Sequence, residues 1–189
     1  VLLLVVKSGH VGSEWFAELV AKQSVATFKH EANACVRGVQ LVSGLITGAG
    51  CPKVPVRKNI SLPLLGLSFN VGAFSETAME TWAAALQATP PTVPIIVTSL
   101  TRTNALKWAW SIYRHQALDQ RSHVRTATTF EPVQVEPACI VNHIRGGAEN
   151  VGITRQRAEK FARMLNLSVV HITYEQLQRD AAAVVRSLF

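Results

Sequence analysis

A three-layer α/β/α domain on a mainly parallel central sheet is the fold this sequence predicts, and three observations predict it. Strand-like apolar runs alternate repeatedly with helical segments, so successive strands run parallel beneath their crossover helices. The alternation begins at once, as a βαβ unit over residues 1–29. The 189 residues are 48% hydrophobic and 16% charged, a composition suited to one compact core. No internal repeat or second domain is visible, so residues 1–189 are read as a single domain.

The first strand is predicted over 1–6, a helix from about 13 to 23, and a second strand at 25–29. Residues 38–73 carry six glycines and three prolines among short apolar pieces, which predicts a long irregular excursion over the sheet and a substrate-facing loop. Ser75 is placed to cap a helix running to about Gln87, with Ala78, Met79, Trp82 and Leu86 on its inner face. Pro90, Pro91 and Pro94 then force a break before a central strand at 95–101. In the next helix, 103–116, Leu106, Ala109, Trp110 and Tyr113 recur at i, i+3, i+4 and i+7 and predict the buried stripe, with Lys107, Ser111 and Arg114 on another face. After a polar segment, one helix is expected from near Glu136 and a separate one from Thr154 as N-cap, with Ala158, Phe161, Ala162 and Leu165 inward. A strand at 168–173 and a final helix to Phe189 close the chain.

Nineteen Lys and Arg against twelve Asp and Glu give a net charge of +7, which favours an anionic partner such as a nucleotide or an acidic or sulfated glycan. There is no Lys/Arg block or basic-aromatic RNA-reading motif, so nucleic acid is not expected. Cys35, Cys51 and Cys139 lie far apart without a C-x-x-C pair, and the six histidines form no H-x-x-x-H pair. No metal site is therefore expected, one disulfide stays open, and His115, His123 and His143 read as ordinary surface or partly buried residues. No apolar run approaches the roughly 20 residues of a membrane-spanning helix. Val1 lies directly within an apolar strand, so the chain is expected to be an excerpt of a longer one. The compartment stays open between cytoplasm and Golgi lumen; Asn59-Ile-Ser61 and Asn166-Leu-Ser168 would permit glycosylation in the latter.

Ligands of parallel α/β sheets sit beyond the carboxyl ends of the strands, which directs attention to two turns. The first is Lys7-Ser8-Gly9-His10-Val11-Gly12-Ser13-Glu14-Trp15: its glycines permit a tight turn, the following helix offers unpaired N–H groups, and Ser13 adds a hydroxyl. It is not a Walker A loop, since no Gly-Lys-Ser/Thr follows. The second is the passage from strand to helix at Arg102, where that cation and the Ser111 hydroxyl are placed to hold one anion together.

With the later Tyr174-Glu175-Gln176-Leu177, these turns resemble the sulfotransferase family that uses 3′-phosphoadenosine 5′-phosphosulfate (PAPS). Gly12, Ser13 and Trp15 match the family's 5′-phosphosulfate motif, and Arg102, Ser111 and Tyr113 match its 3′-phosphate motif. The wording Leu100-Thr101-Arg102-x-Asn104-x-Leu106 is most similar to the bacterial carbohydrate and glycolipid branch. The resemblance implies a P-loop-like sulfotransferase fold and in-line sulfuryl transfer, without a metal, from PAPS to a hydroxyl of a carbohydrate or similar acceptor, leaving 3′-phosphoadenosine 5′-phosphate.

By the same resemblance Gly9, Val11, Gly12, Ser13, Glu14, Trp15, Arg102 and Ser111 bind the nucleotide, Lys7 and His10 face the departing phosphate, and Glu31 or His30 is the base. Arg145-Gly146-Gly147 echoes the family's nucleotide clamp. The chain departs from the pattern at His10, where a Lys or Arg is usual, and at Glu14, where a Thr or Ser is usual. Trp108 and Trp110 read as packing residues, Trp15 as either a stacking surface or a core anchor, and Tyr174 and Glu175 as braces of the fold. Two alternatives stand beside the enzyme: a degenerate, noncatalytic domain that binds an anionic glycan or nucleotide, for which His10 and Glu14 speak, and a P-loop nucleotide kinase. The kinase is disfavoured because no Asp suited to Mg²⁺ follows a strand.

Overall fold

The structure, a computed structural model, describes residues 1–23, 26–29, 37–42, 45–49, 54–55, 64–88, 94–116 and 135–189. In chain order the elements are β1 (Leu2–Lys7), α1 (Ser13–Gln23), β2 (Ala26–Lys29), β3 (Arg37–Val42), β4 (Leu45–Ala49), β5 (Val54–Pro55), β6 (Leu64–Asn70), α2 (Glu76–Gln87), β7 (Ile95–Thr101), α3 (Ala105–Gln116), α4 (Pro137–Met164), β8 (Val169–Thr173) and α5 (Tyr174–Arg186).

Every residue of β1 is buried, and because side chains alternate across a strand, β1 supplies two cores. Leu2, Leu4 and Val6 meet Phe69 of β6, Trp82 of α2 and Phe161 of α4 on one face. Leu3 and Val5 meet Phe16 of α1, Leu100 of β7, Trp108 of α3 and Leu177 of α5 on the other. The expected three layers are thus present.

The sheet between them has the order β2-β6-β1-β7-β8, and all four neighbouring pairs are parallel. From β1 the chain runs out to β2, returns to β6 beside β1, and then crosses to β7 on β1's other flank. The direction of winding reverses around β1, so the crevice beyond its carboxyl end is the switch point where ligands of such sheets bind.

Three expectations are corrected. The region 38–73 is not an irregular excursion: β3, β4 and β5 form a small antiparallel sheet, and β6 is an interior strand paired with both β1 and β2. A strand enclosed on both edges and both faces needs no polar alternation. Gly66 and Ser68, which read as loop residues, are both buried in it.

In α3 the buried residues are Trp108, Ala109, Ile112 and Tyr113, whereas Leu106 and Trp110 are 60% and 38% exposed. Trp108 and Trp110 project from opposite sides of a helix, so only one can lie in the core; the tertiary contacts of Trp108 select it.

Nor are there two helices between residues 136 and 165. Glu136 occupies the N-cap position with Pro137 following, and α4 then runs unbroken for 28 residues. Thr154 is no cap; it is fully buried in the helix interior, while Ala158, Phe161 and Ala162 face the core as expected. Arg145-Gly146-Gly147 is accordingly helical rather than a nucleotide-clamping loop. A Cβ at Gly147 would lie 2.8 Å from the Trp108 ring, so the glycine is what permits α4 to approach α3 so closely. The cap expected at Ser75 is present, accepting the Ala78 N–H at 3.2 Å; Thr173, read as the end of a strand, also forms a reciprocal capping box with Gln176 at the start of α5.

Candidate functional site

The site is built around the turn between β1 and α1. Lys7 ends β1 and is buried, and its carbonyl accepts the Val71 N–H at 2.7 Å, tying the turn after β6 to the end of β1. Arg157 of α4 fixes that second turn from behind by donating to the carbonyls of Val71 and Phe74. The Gly9 carbonyl accepts the Trp108 indole N–H at 2.9 Å. Trp108 is therefore a packing residue, as expected, and also a support of the turn.

His10 and Gly12 both have left-handed backbones, with φ of 61° and 76°. Between them Val11 is buried in the core, so of the expected nucleotide-binding residues it offers only its backbone. Gly12 passes so close to Tyr174 that a Cβ there would lie 2.4 Å from its ring. α1 then opens at Ser13, with its first-turn bond from the Phe16 N–H to the Gly12 carbonyl at 2.9 Å.

Glu14 is exposed in that first turn, where the helix dipole favours a carboxylate. Trp15 stands edge-on to Tyr174 with ring centroids 5.5 Å apart and packs against the core shared by α1 and α5. Of the two roles open to it, anchoring is the one these contacts describe.

The second expected turn meets the first. Arg102 follows β7, donates through Nη1 to the His10 carbonyl at 3.3 Å, and carries its guanidinium 4.5 Å above the Tyr174 ring. Its Nε is buried without a hydrogen-bond partner. Ser111 lies on the α3 side facing the turn, with Oγ 3.3 Å from His10 Nδ1. The ring of His115, one helical turn further, is 5.3 Å from that of His10.

Gly9, His10, Gly12, Arg102 and Ser111 are thus brought together, with Lys7 beneath the turn and Ser13, Glu14 and Trp15 at the start of α1. His30, Glu31, His123, Cys35 and Cys51 lie outside the described residues, so the proposed base and any disulfide between the last two do too. Cys139 is a free thiol. Among the described residues no group of three or more His, Cys, Asp and Glu is arranged to hold a metal ion, and no helix is long and apolar enough to cross a membrane.

Tyr174 and Glu175 were read from sequence as braces, and the structure shows what they brace. The Glu175 carboxylate accepts the N–H groups of Thr103 and Asn104, both at 3.0 Å, and the Thr103 hydroxyl at 2.9 Å. Partial burial opposes its ionisation, but the hydrogen bonds from Asn104 and Thr103 outweigh that and hold the carboxyl below its ordinary pKa. The sequence signal for both residues was their place directly after a strand, within the Tyr-Glu-Gln-Leu segment; their contacts reach back some 70 residues to Arg102–Asn104.

An unpaired guanidinium nitrogen beside a left-handed turn that feeds a helix N-terminus is a donor set suited to phosphate or sulfate oxygens. No model of a known protein family matches this chain, and no curated protein matches its sequence significantly.

Proposed function

We propose that this chain is a PAPS-dependent sulfotransferase domain that acts on a hydroxyl of a carbohydrate or similar acceptor. One observation carries the reading. The two stretches that resemble the family's phosphosulfate and 3′-phosphate motifs meet at the carboxyl edge of the sheet, through His10 and Ser111, 101 residues apart, and through Arg102 and the His10 carbonyl. The finer fold assignment, a P-loop-like sulfotransferase fold, goes with this reading and is supported by β1 standing at the winding reversal of the parallel sheet.

In this reading the backbone N–H groups of residues 9–13 and the dipole of α1 hold the 5′ end of the nucleotide. Arg102 and Ser111 hold its 3′-phosphate, with the buried Nε of Arg102 as a donor in want of an acceptor. PAPS, when bound, supplies the sulfuryl group and a bisphosphate leaving group. Lys7 and His10 place positive charge or a proton donor where negative charge develops, and His30 or Glu31 takes the acceptor's proton. Alignment of donor and acceptor supplies most of the rate.

Calorimetric titration with 3′-phosphoadenosine 5′-phosphate, with ATP plus Mg²⁺ as a second arm, tests the reading. Tight bisphosphate binding, weakened about 10–100-fold in Arg102→Ala because a charge-assisted hydrogen-bonding group is lost, with little ATP binding, is the expected result. Absence of bisphosphate binding refutes it, and preferential Mg²⁺–ATP binding points to the kinase. The noncatalytic alternative draws on His10 in place of the usual cation: wild-type turnover eliminates it, and turnover appearing only in His10→Lys favours it.

A further inference from the structure

Two helices, α1 and α3, begin beside Arg102, and each start has N–H groups that no residue of its own helix accepts and that attract an anion. At the start of α3 the N–H groups of Thr103, Asn104 and Lys107 are already engaged. Glu175 takes the N–H groups of Thr103 and Asn104, and the Asn104 side chain accepts the Lys107 N–H at 2.9 Å. We infer that Glu175 is a positioning residue for Arg102: it serves as an internal anion beside the start of α3 and fixes the backbone of 102–104, from which the Arg102 guanidinium reaches the β1–α1 turn. This inference rests on the nucleotide-binding reading above and assigns a role within that site.

The corner between β8 and α5 holds Arg102 from two sides. Glu175 fixes the backbone immediately after it, and the Tyr174 ring lies 4.5 Å beneath its guanidinium. The corner is itself held by the capping box, in which the Thr173 N–H donates to Gln176 Oε1 at 2.8 Å and the Gln176 N–H to Thr173 Oγ1 at 3.1 Å. Ordering a long cationic side chain is a large part of what a phosphate-binding arginine costs a site, and here that ordering precedes the ligand. Three donors within 3.0 Å spend the charge of Glu175 locally, so it stabilises the loop without competing for the guanidinium.

The test is a double-mutant cycle read by calorimetric titration with 3′-phosphoadenosine 5′-phosphate on the wild-type chain, Glu175→Ala, Arg102→Ala and the double variant, with circular dichroism to verify folding. Glu175→Ala is expected to weaken binding about tenfold, and the double variant to bind within about twofold of Arg102→Ala, because the effect of Glu175 passes through Arg102. A merely structural role would weaken both backgrounds equally, and that additive result overturns the inference while leaving the nucleotide reading intact. No binding by the wild-type chain overturns both. If Glu175→Ala fails to fold, Thr103→Ala, which removes one hydroxyl donor and leaves the carboxylate, carries the same cycle with an expected factor of about three; additivity there is equally fatal.

Discussion

Replacing Gly12 by alanine tests the geometry of the turn most directly, because two independent features of that position resist a side chain. Its φ of +76° costs an L-residue about 1–2 kcal/mol. The new Cβ would also sit 2.4 and 2.5 Å from two carbons of the Tyr174 ring, so the ring must swing away. Displacement forfeits the edge contact with Trp15, worth about 0.5–1.5 kcal/mol, and the contact beneath Arg102, worth about 0.5–1 kcal/mol. Gly12→Ala is therefore expected to lower stability by roughly 2–4 kcal/mol in denaturant unfolding. Gly9→Ala is the internal control: its backbone is not left-handed and a Cβ there meets nothing within 4 Å, so stability should be unchanged or raised by about 0.5–1 kcal/mol. With Tyr174→Ala in the background, the additional cost of Gly12→Ala should fall to the backbone contribution of about 1–2 kcal/mol. A Gly12→Ala variant within about 0.5 kcal/mol of wild type, or a Gly9→Ala variant equally damaged, would refute the reasoning.

Two further predictions concern stability. In α3, Ile112→Ala should cost about 2–4 kcal/mol and Leu106→Ala less than about 0.5, because Ile112 is buried and Leu106 is 60% exposed; the opposite ranking by chemical denaturation would restore the stripe read from the sequence. Because Glu175 has a folded-state pKa below its ordinary value of 4.5, its contribution is present above that value and is lost as pH falls through the folded pKa. Glu175→Gln should thus be less stable than wild type at pH 7, with the difference shrinking as the pH is lowered from about 4.5; a difference constant with pH would show that the carboxylate charge plays no part.

The layered architecture could be read from the chain because its outer elements obey local rules. Ser75 caps α2, Thr173 caps α5, and the inward residues of α2 fall at helical spacing. β6 escaped for the opposite reason. Leu64-Leu-Gly-Leu-Ser-Phe-Asn70 is enclosed by β2, β1 and the helical layers, so burial rather than alternation determines its composition. Its glycine and serine then read as loop punctuation. The two-helix division of α4 failed similarly, since three glycines and Thr154 are poor helix formers whose preference is overridden by packing against α3 and the sheet. Where Gly147 meets Trp108, the residue that weakens the helix locally is the one that lets it dock.

The site was legible where chemistry resides in residue type, as with a cation closing a strand or glycines in a turn that opens a helix. It was not legible where a residue acquires its role from a distant partner. Trp108 lies off the stripe that the spacing predicts and reads only as a packing residue, yet its indole N–H fixes the Gly9 carbonyl. Glu175 reads as a brace of the fold, but that its partner is the start of α3 does not show in the sequence. His10 belongs to both kinds. Its departure from the usual cation shows in the sequence, whereas its left-handed backbone and its place between Arg102, Ser111 and His115 do not. The carbonyl of His10, not its ring, receives Arg102, so His10→Lys keeps the acceptor of the Arg102 contact while removing the ring that faces Ser111 and His115. Position 10 is therefore where the backbone link to Arg102 and the side-chain link to Ser111 can be tested apart.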